Sequence, residues 1–241
     1  MQALFELNPD LDRDALAAEF ARAGRVQIRD VLTPATAEAV AGILERETPW
    51  GLAWGVGQEK PASLRAEALP GLPAVERARL GKQLSEAVAA GTFAFLYAHY
   101  PMLQAYLERW RPGHPLELLL EHINDQPLME LVRAVTGMPG LIKADAQATL
   151  YAAGHFLTLH DDARADEHRR CAYVLGFTRH WRPDWGGYLL FFDKDDDVAA
   201  GFRPRFNTLN LFAVPQRHNV TYVPPAAPQG RYAITGWFRD A

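Results

Sequence analysis

The sequence predicts a mainly β protein, a jelly roll or barrel with a helical buttress on one outer face. From Leu141 onward, short apolar segments alternate with turn residues, which favours a jelly roll or barrel over a parallel α/β sheet. The preceding part of the chain is mostly helical in pattern. The chain has 241 residues, 49% of them hydrophobic, and can bury one sizeable core. We therefore predict a single domain over 1–241, with a mostly helical supporting region at 1–140 and a jelly-roll core at 141–241.

The elements of the helical region are predicted from hydrophobic spacing and turn residues. Apolar residues on one helical face indicate a helix over 10–23, and imperfect alternation indicates a strand over 25–32. Pro34 occupies the favoured first turn of a helix over 33–47. The remaining predicted elements are a sheet segment at 50–55, a loop at 57–73, and helices at 75–100 and 116–136.

The jelly-roll region is predicted as a series of short strands. Gly186 and Gly187 permit a tight turn before one of them. The acidic stretch 193–197 lacks the glycine and the terminal glutamate of an EF-hand, so we predict a solvated hairpin loop there. The predicted strands are 141–152, 156–160, 170–178, 187–192, 202–206, 208–213, 218–223 and 231–238.

Composition narrows the class of partner and compartment. A net charge of -4 and a pI near 6.1 give no electrostatic reason to bind nucleic acid, because such binding depends on phosphate neutralisation by Lys and Arg. Cys171 is the only cysteine, which excludes an intrachain disulfide. The first residues lack the basic and apolar segments of a signal peptide, and no apolar run is long enough to span a bilayer. We expect a cytoplasmic protein with no membrane partner; its oligomeric state stays open.

A candidate metal site begins at His160-Asp161-Asp162, at the end of an apolar strand. Successive strand side chains point to opposite faces, so His160 and Asp162 are expected to project together and Asp161 elsewhere. A third ligand must come from another strand, and His218 opens a suitable one. Two imidazoles and one carboxylate can hold iron on one face and leave open positions that activate dioxygen. No HExxH pattern is present, which argues against a helical zinc-protease site.

Structural alternatives exist for each of these residues. The His-Asp-Asp segment could form a turn with Asx hydrogen bonds, and His218 could be an ordinary, partly buried strand histidine. Arg231, on a later apolar strand, could pair with Asp240. Trp181 and Trp185 lie in a loop expected near the barrel mouth, where they would either grip a substrate or simply pack.

The ordered set of Tyr151, His160-x-Asp162, Gly186-Gly187, His218 and the strand Arg231-Tyr-Ala-Ile-Thr-Gly-Trp-Phe resembles the iron(II)/2-oxoglutarate-dependent dioxygenase superfamily. The resemblance is to the prolyl-hydroxylase-like branch and covers roughly the last hundred residues, about one compact β domain. It implies a double-stranded β-helix with iron near its open mouth.

The resemblance also implies residue roles. His160, Asp162 and His218 would bind the iron, and Arg231 would bind the distal carboxylate of 2-oxoglutarate through two parallel hydrogen bonds. Tyr151 is the candidate for an assisting hydroxyl, and Tyr173 is expected to line the cosubstrate pocket. Relatives often show Arg-x-Ser, whereas Arg231 is followed by Tyr and Ala, so one usual hydroxyl donor is missing.

The function implied is hydroxylation of an unactivated C–H group, coupled to oxidative decarboxylation of 2-oxoglutarate to succinate. The cofactors would be iron(II), 2-oxoglutarate and dioxygen, with ascorbate as a supporting reductant. The substrate would be a protein, peptide or small molecule, with a prolyl residue or free proline as the leading candidate. Two alternatives are a metal-binding jelly-roll sensor without turnover and a cupin-like metalloenzyme that uses no oxoacid. Only the 2-oxoglutarate hypothesis requires a cation at Arg231.

Overall fold

The computed structural model describes residues 4–57, 60–164 and 167–241. In this part of the chain it contains six α-helices and thirteen strands. The helices are α1 Arg13–Ala23, α2 Pro34–Arg46, α3 Ala74–Ala89, α4 Met102–Leu107, α5 Pro115–Asn124 and α6 Gln126–Thr136, with short 3-10 helices at Ala66–Gly71 and Pro183–Trp185. The strands are β1 Arg25–Arg29, β2 Gly51–Val56, β3 Ala62–Leu64, β4 Ala94–Tyr100, β5 Lys143–Ala144, β6 Gln147–Tyr151, β7 Phe156–His160, β8 Arg169–Phe177, β9 Leu189–Phe192, β10 Val198–Phe202, β11 Phe206–Ala213, β12 His218–Val220 and β13 Arg231–Arg239.

The strands form a nearly closed antiparallel barrel. Ten of them follow the order β1-β11-β8-β13-β6-β4-β7-β12-β9-β10, while β2 and β3 extend from β4, and β5 pairs with β13. The register places Arg231 of β13 opposite Tyr151 of β6, and His218 of β12 opposite His160 of β7. The predicted jelly-roll fold with helices is confirmed, and it brings segments that are distant in sequence to one interior.

Alternation along β8 separates a helix-facing side from a barrel interior. Tyr173, Leu175 and Phe177 belong to a large cluster with residues of α1, α2, α5 and α6. Ala172 and Val174 point the other way and pack with residues of β9 and β11. Because side chains alternate between the two faces of a strand, one sheet serves both clusters. The helices therefore cover one outer face, as predicted, and leave the interior to the site.

Several local predictions for the helical region are confirmed. The helix predicted over 10–23 is present as α1, which begins at Arg13 because Asp12 caps it by accepting a hydrogen bond from Ala15 N at 3.0 Å; Gly24 ends the helix in the left-handed conformation. Pro34 stands in the first turn of α2, and β1 and β2 lie in the segments predicted as sheet. None of the described helices combines the length and apolar character that crossing a bilayer requires.

The predicted helix over 75–100 is wrong in its second half. Helix α3 ends at Ala89, Gly91 adopts a left-handed φ of 68°, and β4 then enters the centre of the sheet between β6 and β7. Phe95, Tyr97 and His99 alternate along β4 and face the barrel interior. Burial in the sheet overrides the helical pattern, because β4 gains ladder partners on both edges.

Four other segments differ from the prediction. The helix predicted over 116–136 is two helices, because Asp125 caps α6 and Pro127 cannot donate the hydrogen bond that would continue α5. The strand predicted over 141–152 is interrupted at Asp145, whose carboxylate accepts from Trp237 N at 2.9 Å. Residues 203–205 lie outside the strands, because the hairpin partner of β9 is 198–202. The predicted loop over 57–73 contains β3 and a 3-10 helix, and its residues 58 and 59 lie outside the described part.

The acidic stretch 193–197 forms the predicted hairpin loop between β9 and β10. The Asp193 carboxylate accepts hydrogen bonds from the backbone N–H groups of Asp195 and Asp197, at 2.9 and 3.0 Å. Local turn geometry therefore accounts for this carboxylate.

Candidate active site

His160, Asp162 and His218 converge inside the barrel. Their potential ligand atoms all lie within 4.8 Å of one another. Asp162 Oδ1 is 3.4 Å from His160 Nε2, and Asp162 Oδ2 is 3.4 Å from His218 Nε2. All three side chains are largely buried, with His218 only 5% exposed. The three residues predicted as ligands are thus brought together, although 58 positions separate His160 from His218.

The way Asp162 reaches this cluster differs from the strand alternation that was expected. Strand β7 ends at His160, and Asp162 adopts a left-handed φ of 64°, which Asp tolerates better than most residues. Asp161 makes the alternative turn, since its Oδ1 accepts from Ala163 N at 3.0 Å. The turn hypothesis therefore applies to Asp161, while Asp162 directs its carboxylate toward the histidines.

An irregularity in β7 helps to set the position of His160. His218 pairs with His160, but Val220 pairs with Leu157, so three residue steps of β7 match two steps of β12. Such an extra residue re-aims the side chains of a strand. Without the extra residue, His218 would pair with Leu159 rather than with His160.

Backbone hydrogen bonds orient both imidazoles. His160 Nδ1 lies 2.9 Å from Thr158 O, and His218 Nδ1 lies 2.7 Å from Gln216 O. Since a carbonyl only accepts, each Nδ1 carries a proton, and each Nε2, which is directed toward Asp162, is the nitrogen available to bind a metal. This is the tautomer that metal-binding histidines commonly adopt.

The charges of the cluster suit a divalent cation. Burial and repulsion from His160 lower the pKa of His218 to about 4. Burial opposes ionisation of Asp162, but hydrogen bonding to His160 and the charges of His218 and His160 lower its pKa to about 2. Near neutral pH, His218 is therefore neutral and Asp162 ionised, which are the protonation states needed for metal ligation.

A cavity of about 1030 Å³ connects this cluster to Arg231. Arg231 is 4% exposed, and its Nη1 is buried with no hydrogen-bond partner among the described residues. Asp240 is not its partner, because Asp240 bonds Arg170 at 2.6 Å and lies 3.7 Å from His168. An unpaired buried guanidinium is costly, so this position fits an incoming carboxylate.

Tyr151 stands beside Arg231 on the neighbouring strand. The two residues are paired in register, and the guanidinium carbon lies 5.1 Å from the centroid of the Tyr151 ring. Burial raises the pKa of Tyr151 well above its ordinary value, so its hydroxyl keeps its proton. A protonated phenol next to a cation can donate to a carboxylate.

Tyr173 lies on the other face of its strand. Its ring belongs to the core beneath the helices, 5.0 Å from the Phe238 ring, and its hydroxyl donates to Asp145 O at 2.8 Å. Tyr173 is nevertheless among the residues that line the cavity, together with its neighbours Ala172 and Val174, whose side chains pack on the opposite face of the strand. Its expected place beside the cosubstrate stays a prediction.

We expect Tyr173→Phe to leave the KM for 2-oxoglutarate unchanged and to lower the free energy of unfolding by about 1 kcal/mol, the typical net contribution of one hydrogen bond. Tyr151→Phe, in contrast, should raise that KM. Steady-state succinate assays and urea unfolding of both variants would check this. A raised KM in Tyr173→Phe alone would show that Tyr173, and not Tyr151, serves the cosubstrate.

The Trp181 loop packs against the Arg231 end of the cavity. Trp181 is buried, its Nε1 donates to Gly186 O at 2.8 Å, and neither Trp181 nor Trp185 lines the cavity. Gly187, with a left-handed φ of 65°, lies where a Cβ would stand 3.1 Å from Trp181 and 3.6 Å from Arg231. Of the two alternatives for this loop, packing is the one observed.

Four of the cavity residues that sequence reasoning missed lie close to the candidate site. Tyr97 and His99 were placed on a helix, although aromatic residues at every second position after Gly91 could have indicated a strand. Arg169 and Trp237 flank Asp162, with the Arg169 guanidinium carbon 3.6 Å from the centroid of the Trp237 ring. No local sequence signal indicates this pair.

Comparisons with known proteins agree with the site. Residues 146–239, from β6 to β13, match the family model of the 2OG-Fe(II) oxygenase superfamily. No curated protein was found to match the sequence.

Solved structures share the fold at low sequence identity. A prolyl-4-hydroxylase from Pseudomonas putida is 19% identical with a TM-score of 0.57, covering 95% of this chain and 99% of that one. A 2OG-Fe(II) oxygenase family protein from Burkholderia pseudomallei is 11% identical with a TM-score of 0.59, covering 98% and 94%. A prolyl hydroxylase from Trichoplax adhaerens, in complex with a hypoxia inducible factor peptide, is 15% identical with a TM-score of 0.57, covering 95% and 89%.

The family match, the jelly-roll fold and the His-Asp-His cluster agree with one another. The matched segment 146–239 contains all three candidate ligands and Arg231, and it is similar to the 2OG-Fe(II) oxygenase superfamily, whose name gives iron(II) and 2-oxoglutarate as its cofactors. The resemblance and the fold predicted from the sequence are thereby confirmed.

Proposed function

We propose that this protein is a 2OG-Fe(II) oxygenase that hydroxylates a prolyl residue and couples that reaction to the oxidative decarboxylation of 2-oxoglutarate to succinate. His160, Asp162 and His218 would bind the iron, and Arg231, assisted by Tyr151, would bind the distal carboxylate of 2-oxoglutarate. One observation carries the proposal: Arg231, whose buried Nη1 has no hydrogen-bond partner among the described residues, shares a cavity with the three candidate ligands. A sensor without turnover, or a metalloenzyme without an oxoacid, has no use for that cation.

The chain's own contribution is binding, orientation and exclusion of water. Iron(II), when bound, supplies the oxidising chemistry, which no side chain can perform. The backbone carbonyls of Thr158 and Gln216 keep both imidazoles in the ligating tautomer. Arg231 and Tyr151 bind the distal carboxylate and so select a dicarboxylic acid as cosubstrate.

The charges of the cavity favour a prolyl residue within a peptide over free proline. Of the charged residues that line it, four are paired with other protein groups: Arg169 with Glu167, Asp145 with Arg239, Glu108 with Arg65, and Arg217 with Asp196. Asp162 and Arg231 are assigned to iron and cosubstrate. Asp161 and Arg164 lie exposed at the rim. A free amino acid would bury an ammonium and a carboxylate without partners, which is costly.

The polar groups left inside are uncharged. Burial raises the pKa of Tyr97 to about 12 and lowers the pKa of His99 below its ordinary value. Gln147 Nε2 lies 3.5 Å from the Tyr97 hydroxyl. Neutral donors and acceptors of this kind suit the amide groups of a peptide. One similar structure, from Trichoplax adhaerens, was solved with a peptide fragment bound, and peptide binding by this fold supports the same choice.

We also propose that 1–241 acts as one domain. Residues of α1, α2, α5 and α6 share a core cluster with β8, β11 and β13. The supporting region also supplies β1 and β4 to the sheet, so it completes the barrel as well as covering it.

We expect succinate to form when the protein is mixed with iron(II), ascorbate and 2-oxoglutarate in air. A prolyl peptide blocked at both ends should give a rate of succinate formation at least about tenfold higher than free L-proline gives. A binding free energy that favours the peptide by about 1.4 kcal/mol corresponds to that factor. Mass spectrometry should find one added oxygen atom in the peptide. Equal stimulation by free proline would contradict the preference for a peptide. Absence of succinate under all conditions, together with absence of iron-dependent 2-oxoglutarate binding, would contradict the oxidative function.

A further inference from the structure

The Arg169 guanidinium contacts both the backbone carbonyl and the carboxylate of Asp162, the candidate iron ligand. Arg169 Nη1 donates to Asp162 O at 3.5 Å and lies 3.9 Å from Asp162 Oδ1. The guanidinium carbon lies 3.6 Å from the centroid of the Trp237 ring, so the cation packs between an indole and the ligand. The Arg169 side chain is only 13% exposed.

Asp162 needs such a contact more than the two histidines do. Both histidines stand on paired strands, and the register fixes their backbones. Asp162 lies beyond the end of β7, with a left-handed φ of 64°. Residue conformations of this kind persist only where the surroundings hold them. Arg169 is the cation that reaches it from β8, among the residues that the structure describes.

Arg169 is itself held firmly. Its Nη2 lies 2.6 Å from Glu167 Oε2, and the same carboxylate oxygen lies 3.1 Å from Arg239 Nη2. Arg239 in turn pairs with Asp145, which accepts a hydrogen bond from Trp237 N. The network therefore ties Asp162 to β8 and to β13, two neighbouring strands of the barrel.

We propose that Arg169 is a positioning residue that holds Asp162 in the orientation required to bind iron. This inference rests on the proposed function, since it takes the His-Asp-His cluster as the iron site. Arginine is required because its planar fork can donate to Asp162, bond Glu167 and stack on Trp237 at once, which a lysine ammonium cannot do.

Charge and positioning predict opposite effects, and this allows a sharp test. A cation near the ligand repels a metal ion, so if only charge mattered, Arg169→Gln would bind metal more tightly and Arg169→Lys would bind it as the native protein does. If Arg169 positions Asp162, both variants should bind metal more weakly. Removing a partner that orients a metal ligand typically weakens metal affinity about 10- to 100-fold.

The experiment measures Mn²⁺ binding to the metal-free full-length protein by electron paramagnetic resonance of the free ion. We expect Arg169→Lys and Arg169→Gln to raise the Kd about 10- to 100-fold. The matched controls are Arg170→Lys and Arg170→Gln, because Arg170 is the next residue, half exposed and paired with Asp240. The controls should bind Mn²⁺ as the native protein does. The absorption band of anaerobic iron(II) with 2-oxoglutarate should shift in the Arg169 variants and not in the Arg170 variants.

The possible results separate the positioning role from the iron site itself. Native affinity in both Arg169 variants, or tighter binding by Arg169→Gln, overturns the positioning role. If the Arg169 variants do not fold, Glu167→Gln weakens the ion pairs of Glu167 with Arg169 and Arg239 and leaves Arg169 in place. It should weaken Mn²⁺ binding in the same direction, and unchanged binding there also overturns the inference. Failure of the native protein to bind Mn²⁺, or binding that survives Asp162→Ala, contradicts the proposed iron site.

Discussion

Replacing His160 with alanine is expected to abolish stable iron binding and to lower succinate formation by about a thousandfold or more, the factor that corresponds to a loss of about 4 kcal/mol. His160 and His218 each offer a lone pair at Nε2, and Asp162 offers one carboxylate oxygen. With only three protein ligands, removing one leaves too few to hold a ferrous ion against water and chelators. Metal titration and succinate assays measure the two losses separately.

The matched control for this change is His180→Asn, because His180 has a left-handed φ of 51°, which asparagine tolerates better than alanine. His180 is an exposed histidine outside the cavity, so its loss should change neither metal affinity nor turnover. Thermal unfolding of both metal-free variants should resemble that of the native protein. Native metal affinity in His160→Ala would disprove the assignment of the three ligands.

Replacing Arg231 with methionine should raise the KM for 2-oxoglutarate by roughly 30-fold or more while leaving Mn²⁺ affinity unchanged. Removing one partner of a buried, hydrogen-bonded charge pair costs about 2–5 kcal/mol, and about 1.4 kcal/mol corresponds to a factor of ten. Methionine keeps much of the apolar packing beneath Trp181 but cannot donate to a carboxylate. Steady-state kinetics and calorimetric titration with 2-oxoglutarate would measure the effect.

The same variant should be at least as stable as the native protein when 2-oxoglutarate is absent. The native chain buries the Arg231 charge without a partner among the described residues, and replacing a buried charge by a packed apolar side chain is often neutral or stabilising. Addition of 2-oxoglutarate should then raise the Tm of the native protein but not that of Arg231→Met. Arg182→Met, at an exposed arginine, is the control for the loss of one cation.

A lower Tm for Arg231→Met in the absence of 2-oxoglutarate would show that Arg231 has a structural partner and is not reserved for the cosubstrate. The two substitutions in the cavity therefore separate two properties. His160→Ala removes the metal, whereas Arg231→Met removes the diacid and keeps the metal.

The strands of the second half were largely predictable because their side chains alternate with a period of two and turn residues separate them. The segments around β7, β8, β11 and β13 were found within a few residues. Strand β4 was not found, because its apolar run continues the pattern of α3 and only its place between β6 and β7 makes it extended. The same error hid Tyr97 and His99 from the predicted site.

The choice of Asp162 over Asp161 was supported, but by a different physical cause. Alternation along a regular strand was the argument, whereas β7 stops at His160 and carries an irregularity before it. The left-handed φ of Asp162 itself then directs its carboxylate toward the histidines. A bulge and a positive φ depend on what neighbouring strands allow, and neither has a reliable signal in one sequence.

The sequence by itself determined which side chains are available for the proposed chemistry: two imidazoles, a carboxylate and a later guanidinium in a fixed order, on segments with the periodicity of strands. These features are readable because ligand type and periodicity are local properties of the chain. Only the tertiary structure decided that Arg231 has no partner in the described part of the chain, that Tyr173 faces the helices, and that Arg169 lies against Asp162. Those outcomes depend on which distant strands pair and in which register, and pairing between distant segments is set by burial of the whole barrel.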